Sequence, residues 1–420
     1  MSTDLRKKIL LKGPLLTRSG YGEQARFALR SLRSREDLFD IYIQPLNWGQ
    51  TSWLTLQDEE RVWIDQTIEK TINHNQNRGS YDMSLQVTIP NEWSKLAPVN
   101  VGYTAGIETN MVAPAWLGFG NDMDKIIVVS DHSKNVYINS KAILANEETN
   151  EKTEYRLNTP VVSVNYPVKH YESLPELDLG LSTDFNFLAI AQFGPRKNLV
   201  NTIKWFVEEF QNDNVGLVVK SNMAKNCLMD REQLHGILKG LLGSLPESVC
   251  KVYLLHGNLS DEEIHSLYVN KQISAFVALP HGEGFGLPIF EAAYSGLPIV
   301  ATTWSGQSDF LISKDEKLAY CYEVACDINR VQPEVLWENV IIKESSWSYA
   351  REQSAKEKMR QCYNDITTNK EDSIASKAPA WAATLTKNFS EEKKYEEFCK
   401  AVYDEPGETV KGHNENEIIL

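Results

Sequence analysis

Apolar positions along the chain fall into two series of short runs and amphipathic stretches, separated by a polar segment without pattern. In the first series residues 9–11 read as a strand. A loop holding Gly13-Pro14 and Ser19-Gly20-Tyr21-Gly22 follows, and an amphipathic helix is predicted from Glu23 through Phe27, Leu29 and Leu32. Strand-like runs recur at 41–43, 99–103, 125–129 and 161–164, and a helix start is expected at Asp131 with Ser130 as its cap. Residues 146–158 are polar and read as a surface loop or insertion. The stretch 166–183 is rich in Pro, Glu, Gly and Ser and marks a domain boundary. In the second series strands are predicted at 187–191, 215–219, 251–255, 273–279 and 298–303. Between them lie a helix at 199–210 and one capped at Ser260, with Glu263 in the capping-box position. A short helix at 288–295 has Pro288 in its first turn and Gly296 at its end. Residues 346–363 and 391–403 read as helices, and residues after Asp404 as a polar, frayed tail.

Strands alternating with helices imply mostly parallel sheets, hence an α/β protein. A chain of 420 residues is too long for one ordinary core and suits two. The expected architecture is two Rossmann-like domains, 1–175 and 184–345, facing a central cleft. Helices in 346–403 pack back across the domains, and 404–420 is a tail.

Composition narrows the class. Apolar residues make up 42% and charged residues 24%, as in ordinary globular proteins. No apolar run approaches the ~20 residues that cross a bilayer. The basic residues Arg6, Lys7 and Lys8 precede only a strand-length apolar run, so neither a signal peptide nor a membrane segment is expected, and the location is read as cytoplasmic. The six cysteines form no CxxC pair and no histidines stand at zinc-ligand spacing, so no metal site and no cofactor are expected. A net charge of −14 disfavours nonspecific coating of nucleic acid or anionic membrane.

The chemistry concentrates in HGEGFGLPIFEAAYSGLPIVATTWSGQSDF, residues 281–310. Gly284 and Gly286 permit close approach of the backbone to a ligand. The helix start that follows offers free N–H groups and partial positive charge to an anion. Glu283 in the loop and Glu291 one turn into the helix would repel phosphate directly. They suit hydroxyl groups on either side of it. Arg196 and Lys197, after a strand end, could offset negative charge growing on a departing phosphate.

The run Glu283-Gly284-Phe285-Gly286-Leu287-Pro288-Ile289-Phe290-Glu291 resembles the E-x7-E motif of retaining glycosyltransferases with the GT-B fold, group 1 (family 4). Gly296-Leu297-Pro298-Ile299-Val300-Ala301 is similar to that family's helix-to-strand exit, and Ser305-Gly306-Gln307-Ser308-Asp309 resembles its G-G-x-x-E loop. The resemblance covers roughly 187–363 and weakens in the N-terminal half. It implies that Glu291 binds the ribose of a nucleotide sugar and Glu283 the transferred sugar. The N–H groups of Gly284, Phe285, Gly286 and Leu287 would hold sugar and diphosphate, and Arg196 and Lys197 would grip the diphosphate. The family spaces its Arg several residues before its Lys, whereas here they are adjacent, and Lys220 could supply a second cation. Asn258 and Leu259 would lie by the base, Gly20 in the first glycine loop, and Glu108 where the family often has a His, with His132 the alternative.

The resemblance further implies a metal-independent, retaining transfer from a nucleotide-diphosphate sugar to a hydroxyl acceptor: glycan, lipid or small molecule. Two alternatives stay open: transfer to a modified, hydroxymethylated nucleic-acid base, and a non-catalytic nucleotide- or sugar-binding scaffold. Arg26, Arg30 and Arg33 share one helical face. That face would suit an anionic acceptor such as a phosphorylated lipid, a sugar phosphate or DNA, or be solvated beside Glu36 and Asp37. Trp48, Trp53, Trp93 and Trp116 lie in the half that would bind the acceptor, as stacking platforms or as core.

Overall fold

In the computed structural model, which describes residues 6–49, 51–145 and 152–404, each apolar series forms its own six-stranded parallel sheet. The first domain runs β1 (Lys7–Gly13), α1 (Gly20–Arg33), β2 (Phe39–Pro45), α2 (Glu59–Gln76), β3 (Met83–Val87), β4 (Val99–Thr104), α3 (Pro114–Asn121), β5 (Lys125–Val128), α4 (Asp131–Asn139), β6 (Lys141–Ala145), β7 (Lys152–Arg156) and β8 (Val161–Ser163). Its sheet order is β2-β1-β3-β4-β5-β8, and β6 and β7 form a separate antiparallel hairpin. The second domain runs β9 (Phe185–Ile190), α5 (Leu199–Glu209), β10 (Val215–Lys220), α6 (Leu228–Gly243), β11 (Lys251–Leu255), α7 (Asp261–Tyr268), β12 (Ala275–Ala278), α8 (Leu287–Tyr294), β13 (Ile299–Ala301), α9 (Ser308–Leu311) and β14 (Tyr322–Glu323). Its order is β11-β10-β9-β12-β13-β14. Counted within the domain this is 3-2-1-4-5-6, the doubly wound order in which ligands sit beyond the carboxyl ends of the strands where the winding reverses, here between β9 and β12.

Helices on both faces explain the strands' near-continuous apolar character: every residue of β10 is buried. Ser130 caps α4 through the Ser133 N–H, and Ser260 and Glu263 form the complete capping box of α7, both as the sequence predicts. Elements also form where the pattern predicts none. In α2 just Ile64, Thr67 and Thr71 are buried. Strand β3 is fully buried although it carries Ser84 and Gln86, which bond Asn100 and Ser94.

The region after β14 departs from the expected run of helices. Residues 346–350 are not helical. They form β16 (Ser346–Ala350), antiparallel to β15 (Cys326–Arg330), with Trp347 and Ser348 both buried. Helix α10 (Glu352–Thr367) stays on the second domain, where Arg360 bonds Glu209 and Asp213 at 2.7 Å each. Helix α11 (Ile374–Asn388) packs on α8, and Trp381 Nε1 donates to the Phe310 carbonyl at 2.9 Å. Helix α12 (Glu391–Val402) is the element that returns to the first domain: Phe398 meets Phe27 at 5.1 Å and Cys399 Sγ donates to the Ser31 carbonyl at 3.0 Å. Within the polar stretch 146–158, residues 152–156 are strand β7, while 146–151 lie outside the described residues, as do 405–420 of the tail. No helix among the described residues is long and apolar enough to cross a membrane.

One apolar cluster joins the domains, with Phe27, Tyr103 and Tyr166 on one side and Phe285, Phe290 and Phe310 on the other. Phe285 meets Tyr166 edge-on at 5.3 Å. The cleft is therefore closed along part of its length.

Candidate active site

At the winding reversal, the turn after β9 carries Arg196 and Lys197 and the loop after β12 carries His281 to Gly286. The two are laced together: His281 N–H donates to the Arg196 carbonyl at 2.8 Å, and Arg196 Nη1 donates to the Gly282 carbonyl at 2.8 Å. Adjacency does not keep the two cations apart. Arg196 Nη1 lies 3.0 Å from one Glu283 carboxylate oxygen and Lys197 Nζ 2.5 Å from the other. Glu283 is 7% exposed. Burial opposes its charge, but Lys197 and Arg196 outweigh that and hold its pKa below the ordinary value. For Lys197, burial and the Arg196 charge prevail over Glu283 and its pKa falls. Arg196 is held above its ordinary value against burial by Glu283 and Glu108.

Glu108 comes from the other domain, in the loop after β4, with Oε1 3.6 Å from Arg196 Nη2. Thus the second domain alone presents two cations and one carboxylate, and contact between the domains adds the second carboxylate. His132 packs edge-on against Trp304, with ring centroids 5.0 Å apart. Its Nε2 lies 3.2 Å from the Thr109 carbonyl, and burial lowers its pKa to about 4, so the ring is neutral at pH 7.

The glycines act through domain contact as well as loop shape. A Cβ on Gly284 would stand 2.0 Å from the Ala105 carbonyl oxygen, and one on Gly282 2.0 Å from that of Glu108. The first domain's backbone thus occupies the side of Gly284 where a side chain would stand. Gly286, with φ +95, is the left-handed residue that opens α8, and Phe285 is core. Ser305, missed as a site residue by sequence, accepts the Glu283 N–H at 2.9 Å, and Gly306 N–H donates to the Glu283 carbonyl at 2.9 Å. Nothing stands within 4 Å of a Cβ on Gly20. At Gly22, by contrast, it would meet the Thr17 carbonyl oxygen at 2.1 Å, so Gly22 is the glycine that shapes this loop.

Glu291 lines a second, narrow compartment of the cleft, which it shares with Leu287, Glu23 and Lys169. Tyr268 Oη donates to Glu291 at 2.9 Å. Burial, only partly opposed by Lys169, raises the Glu291 pKa to about 7. Lys169 bridges the domains, 2.8 Å from Glu23 and 3.0 Å from Asp261. It lies in the unpatterned linker, where no sequence signal marks it.

Lys220 does not join Glu283. It is 9% exposed, its Nζ donates to the Gly257 carbonyl at 2.6 Å, and burial lowers its pKa. The same 257–259 loop exposes Asn258 and presents the Leu259 carbonyl to Arg18 Nη1 of the first domain at 3.1 Å. Asp309 accepts the Asp131 N–H at 2.9 Å and Asn165 Nδ2 at 2.8 Å, a contact between domains at the start of α4. Among the described residues no three His, Cys, Asp or Glu side chains are grouped to hold a metal ion.

Two crystal structures share this fold over nearly their whole length. Anabaena HepE in complex with UDP and glucose matches with a TM-score of 0.58 at 13% identity, covering 94% of this chain and 99% of that one. Sucrose-phosphate synthase from Thermosynechococcus elongatus matches with a TM-score of 0.57 at 11% identity, covering 94% and 98%. The protein has the GT-B fold. Residues 249–325, which contain Glu283 and Glu291, match the family model for glycosyl transferases group 1. The serotype-specific mannosyltransferase WbdA of Escherichia coli is 30% identical over 118 residues, which is 27% of this chain and 13% of that relative's length.

Proposed function

We propose that the protein transfers a sugar from a nucleotide-diphosphate sugar to a hydroxyl acceptor with retention of anomeric configuration and without a metal ion. The observation that carries this is the convergence of Arg196 and Lys197 on one buried carboxylate at the winding reversal of the second sheet. With the domains apart, that cluster holds one excess positive charge and draws an anionic donor. The donor's sugar hydroxyls then take over Glu283, and the freed donors of Arg196 and Lys197 turn to the diphosphate. Glu291, steadied by Tyr268, accepts the ribose hydroxyls, and the N–H groups from Gly284 to Leu287 face sugar and phosphate. The bond between anomeric carbon and phosphate oxygen breaks, and the acceptor oxygen bonds that carbon from the same face. The acceptor's proton passes to the departing phosphate, whose growing charge the two cations stabilise. HepE holds UDP and glucose and WbdA is a mannosyltransferase, which supports a hexose donor.

Thermal unfolding against UDP, GDP, ADP and their sugar conjugates, with chelator present, tests this. A ligand at ~100 times its Kd adds about 2.7 kcal/mol. Arg196→Ala should slow transfer by about 100-fold, the scale of losing one charge-stabilising donor. Absence of stabilisation by every nucleotide, or a wild-type rate in Arg196→Ala, would sink the donor assignment.

A further inference from the structure

The four tryptophans of the acceptor half have separate fates. Trp93 and Trp116 are core, 4% and 3% exposed. Trp48 and Trp53 are not: they sit on the segment that follows β2, and Trp53 is 46% exposed. This segment is tied to the loop that opens α1. Thr17 pairs with Trp53, Arg18 N–H donates to the Ser52 carbonyl at 2.8 Å, and Leu54 N–H donates to the Leu16 carbonyl at 2.9 Å. Trp48 packs on Tyr21 with ring centroids 4.3 Å apart. Tyr21 Oη lies 2.7 Å from Thr104 Oγ1, at the end of β4, four residues before Glu108. The Trp48–Tyr21 pair therefore sits at the end of β4, and the exposed Trp53 follows on the same segment; these three rings are the aromatic bank of this half.

Charge around this bank points away from anions. Burial raises the Tyr21 pKa, and the Glu108 and Glu92 carboxylates add to it, so the phenol lies in negative potential. The arginine face of α1 is already consumed. Arg26 donates to the Leu15 and Thr17 carbonyls and pairs with Glu23 at 3.0 Å, Arg30 grips Glu60 through two bonds of 2.6 and 2.8 Å, and Arg33 lies over Trp63 at 4.4 Å. Two of the three charges on that face are thus met by carboxylates, and the third rests on an aromatic ring. Aromatic faces carry partial negative charge and receive the polarised C–H edges of a sugar ring, while a carboxylate such as Glu108 receives its hydroxyls.

We propose that the acceptor is an uncharged saccharide, seated on Trp48, Tyr21 and Trp53 with the reacting hydroxyl toward Glu108. This rests on the glycosyl-transfer assignment and names the acceptor class for the same cleft. The anionic classes that the arginine spacing leaves open, a sugar phosphate, a phosphorylated lipid and DNA, are the competing outcomes of the test.

The test is a titration of intrinsic tryptophan fluorescence in the full chain, with UDP present, using mannobiose, maltose and cellobiose against mannose phosphate, glucose phosphate and a short single-stranded DNA. At least one neutral disaccharide should give a saturable change at least tenfold tighter than any anionic probe. Trp53→Ala should weaken it at least tenfold, and Trp48→Phe, which keeps a ring, should retain part of the affinity. In turnover, Trp53→Ala should raise acceptor KM while donor KM holds. Tighter binding of an anionic probe, no saturable change from any neutral disaccharide, or binding indifferent to Trp53→Ala overturns the acceptor assignment. UDP stabilisation measured on the same samples shows whether the donor site stands regardless.

Discussion

Replacing Glu291 by Gln probes the cleft through proton binding. The Glu291 carboxyl has a pKa near 7 in the folded protein and 4.5 as its ordinary value, with burial the main cause. Each unit of difference corresponds to 1.36 kcal/mol, so the folded state binds this proton by about 3 kcal/mol more tightly than the unfolded chain. The sign follows from where each state ionises. Below pH 4.5 both states hold the proton and the contribution is whole. As pH rises toward 7 the unfolded chain ionises freely while the folded protein resists, so about 3 kcal/mol of stability drains away by the time the folded carboxyl ionises. Gln at this position still accepts from Tyr268 but does not titrate. Urea unfolding followed by circular dichroism from pH 4.5 to 8 should show Glu291→Gln gaining on wild type by about 3 kcal/mol across that span. Curves that stay parallel within about 0.5 kcal/mol would refute the buried, proton-holding carboxyl. A nucleotide whose ribose hydroxyls donate to Glu291 needs it ionised, so its Kd should tighten from pH 6 to pH 8, and this dependence should vanish in the Gln variant.

Three further substitutions probe other parts of the structure. In Gly284→Ala the new Cβ lands 2.0 Å from the Ala105 oxygen, so the loops must part by about 1.4 Å to reach the 3.4 Å of ordinary contact. Stability should fall by about 1–3 kcal/mol and transfer by about 100-fold, whereas Gly236→Ala, in α6 with nothing within 4 Å, should gain about 0.5–1 kcal/mol. Urea midpoints and initial rates measure both, and equal behaviour of the two variants would remove the domain contact from the account. Asp230 accepts the N–H groups of Met223, Ala224 and Lys225 at 2.8–2.9 Å and pairs with His256 at 2.9 Å, so Asp230→Ala should cost about 2–4 kcal/mol in urea unfolding by orphaning the loop after β10.

Where an element's signal is apolar the sequence reveals it; where its burial is polar or its contacts are distant, it does not. The buried strands β1, β9 and β10 and the capped helices α4 and α7 follow from local pattern. Strand β3, Met-Ser-Leu-Gln-Val, alternates as a strand with one solvated face would, but it is short, and Ser84 and Gln86 are buried as well because they bond Asn100, Ser94 and one another. Strand β16 hides behind a helix-like continuation into α10, although Ser346–Ala350 alternates with period two. At the site, the glycine loop with its two glutamates and the Arg-Lys pair stand out because chemistry and spacing coincide. Lys169, Ser305 and the contact of Gly284 with Ala105 depend on what the other domain or another loop brings alongside, and a single sequence carries no mark of that. The same limit hid which arginines of α1 were spoken for.

The chain passes between the domains twice, once through the segment after β8 and once between α11 and α12, and the two passages are bonded to each other: Val168 N–H donates to the Phe389 carbonyl at 2.7 Å. A single tether would let one body swivel, slide and twist on the other. A pair fastened side by side leaves essentially one freedom, rotation about the line through the fastening, as in a door on two pins. Arg196 with Glu108 and Asn110 with Ser346 are further contacts between the same two bodies. The returning helix α12 is thus a mechanical part: its anchorage by Phe398 and Cys399 on α1 is a second tie that holds the bodies in the register at which Glu108 meets Arg196.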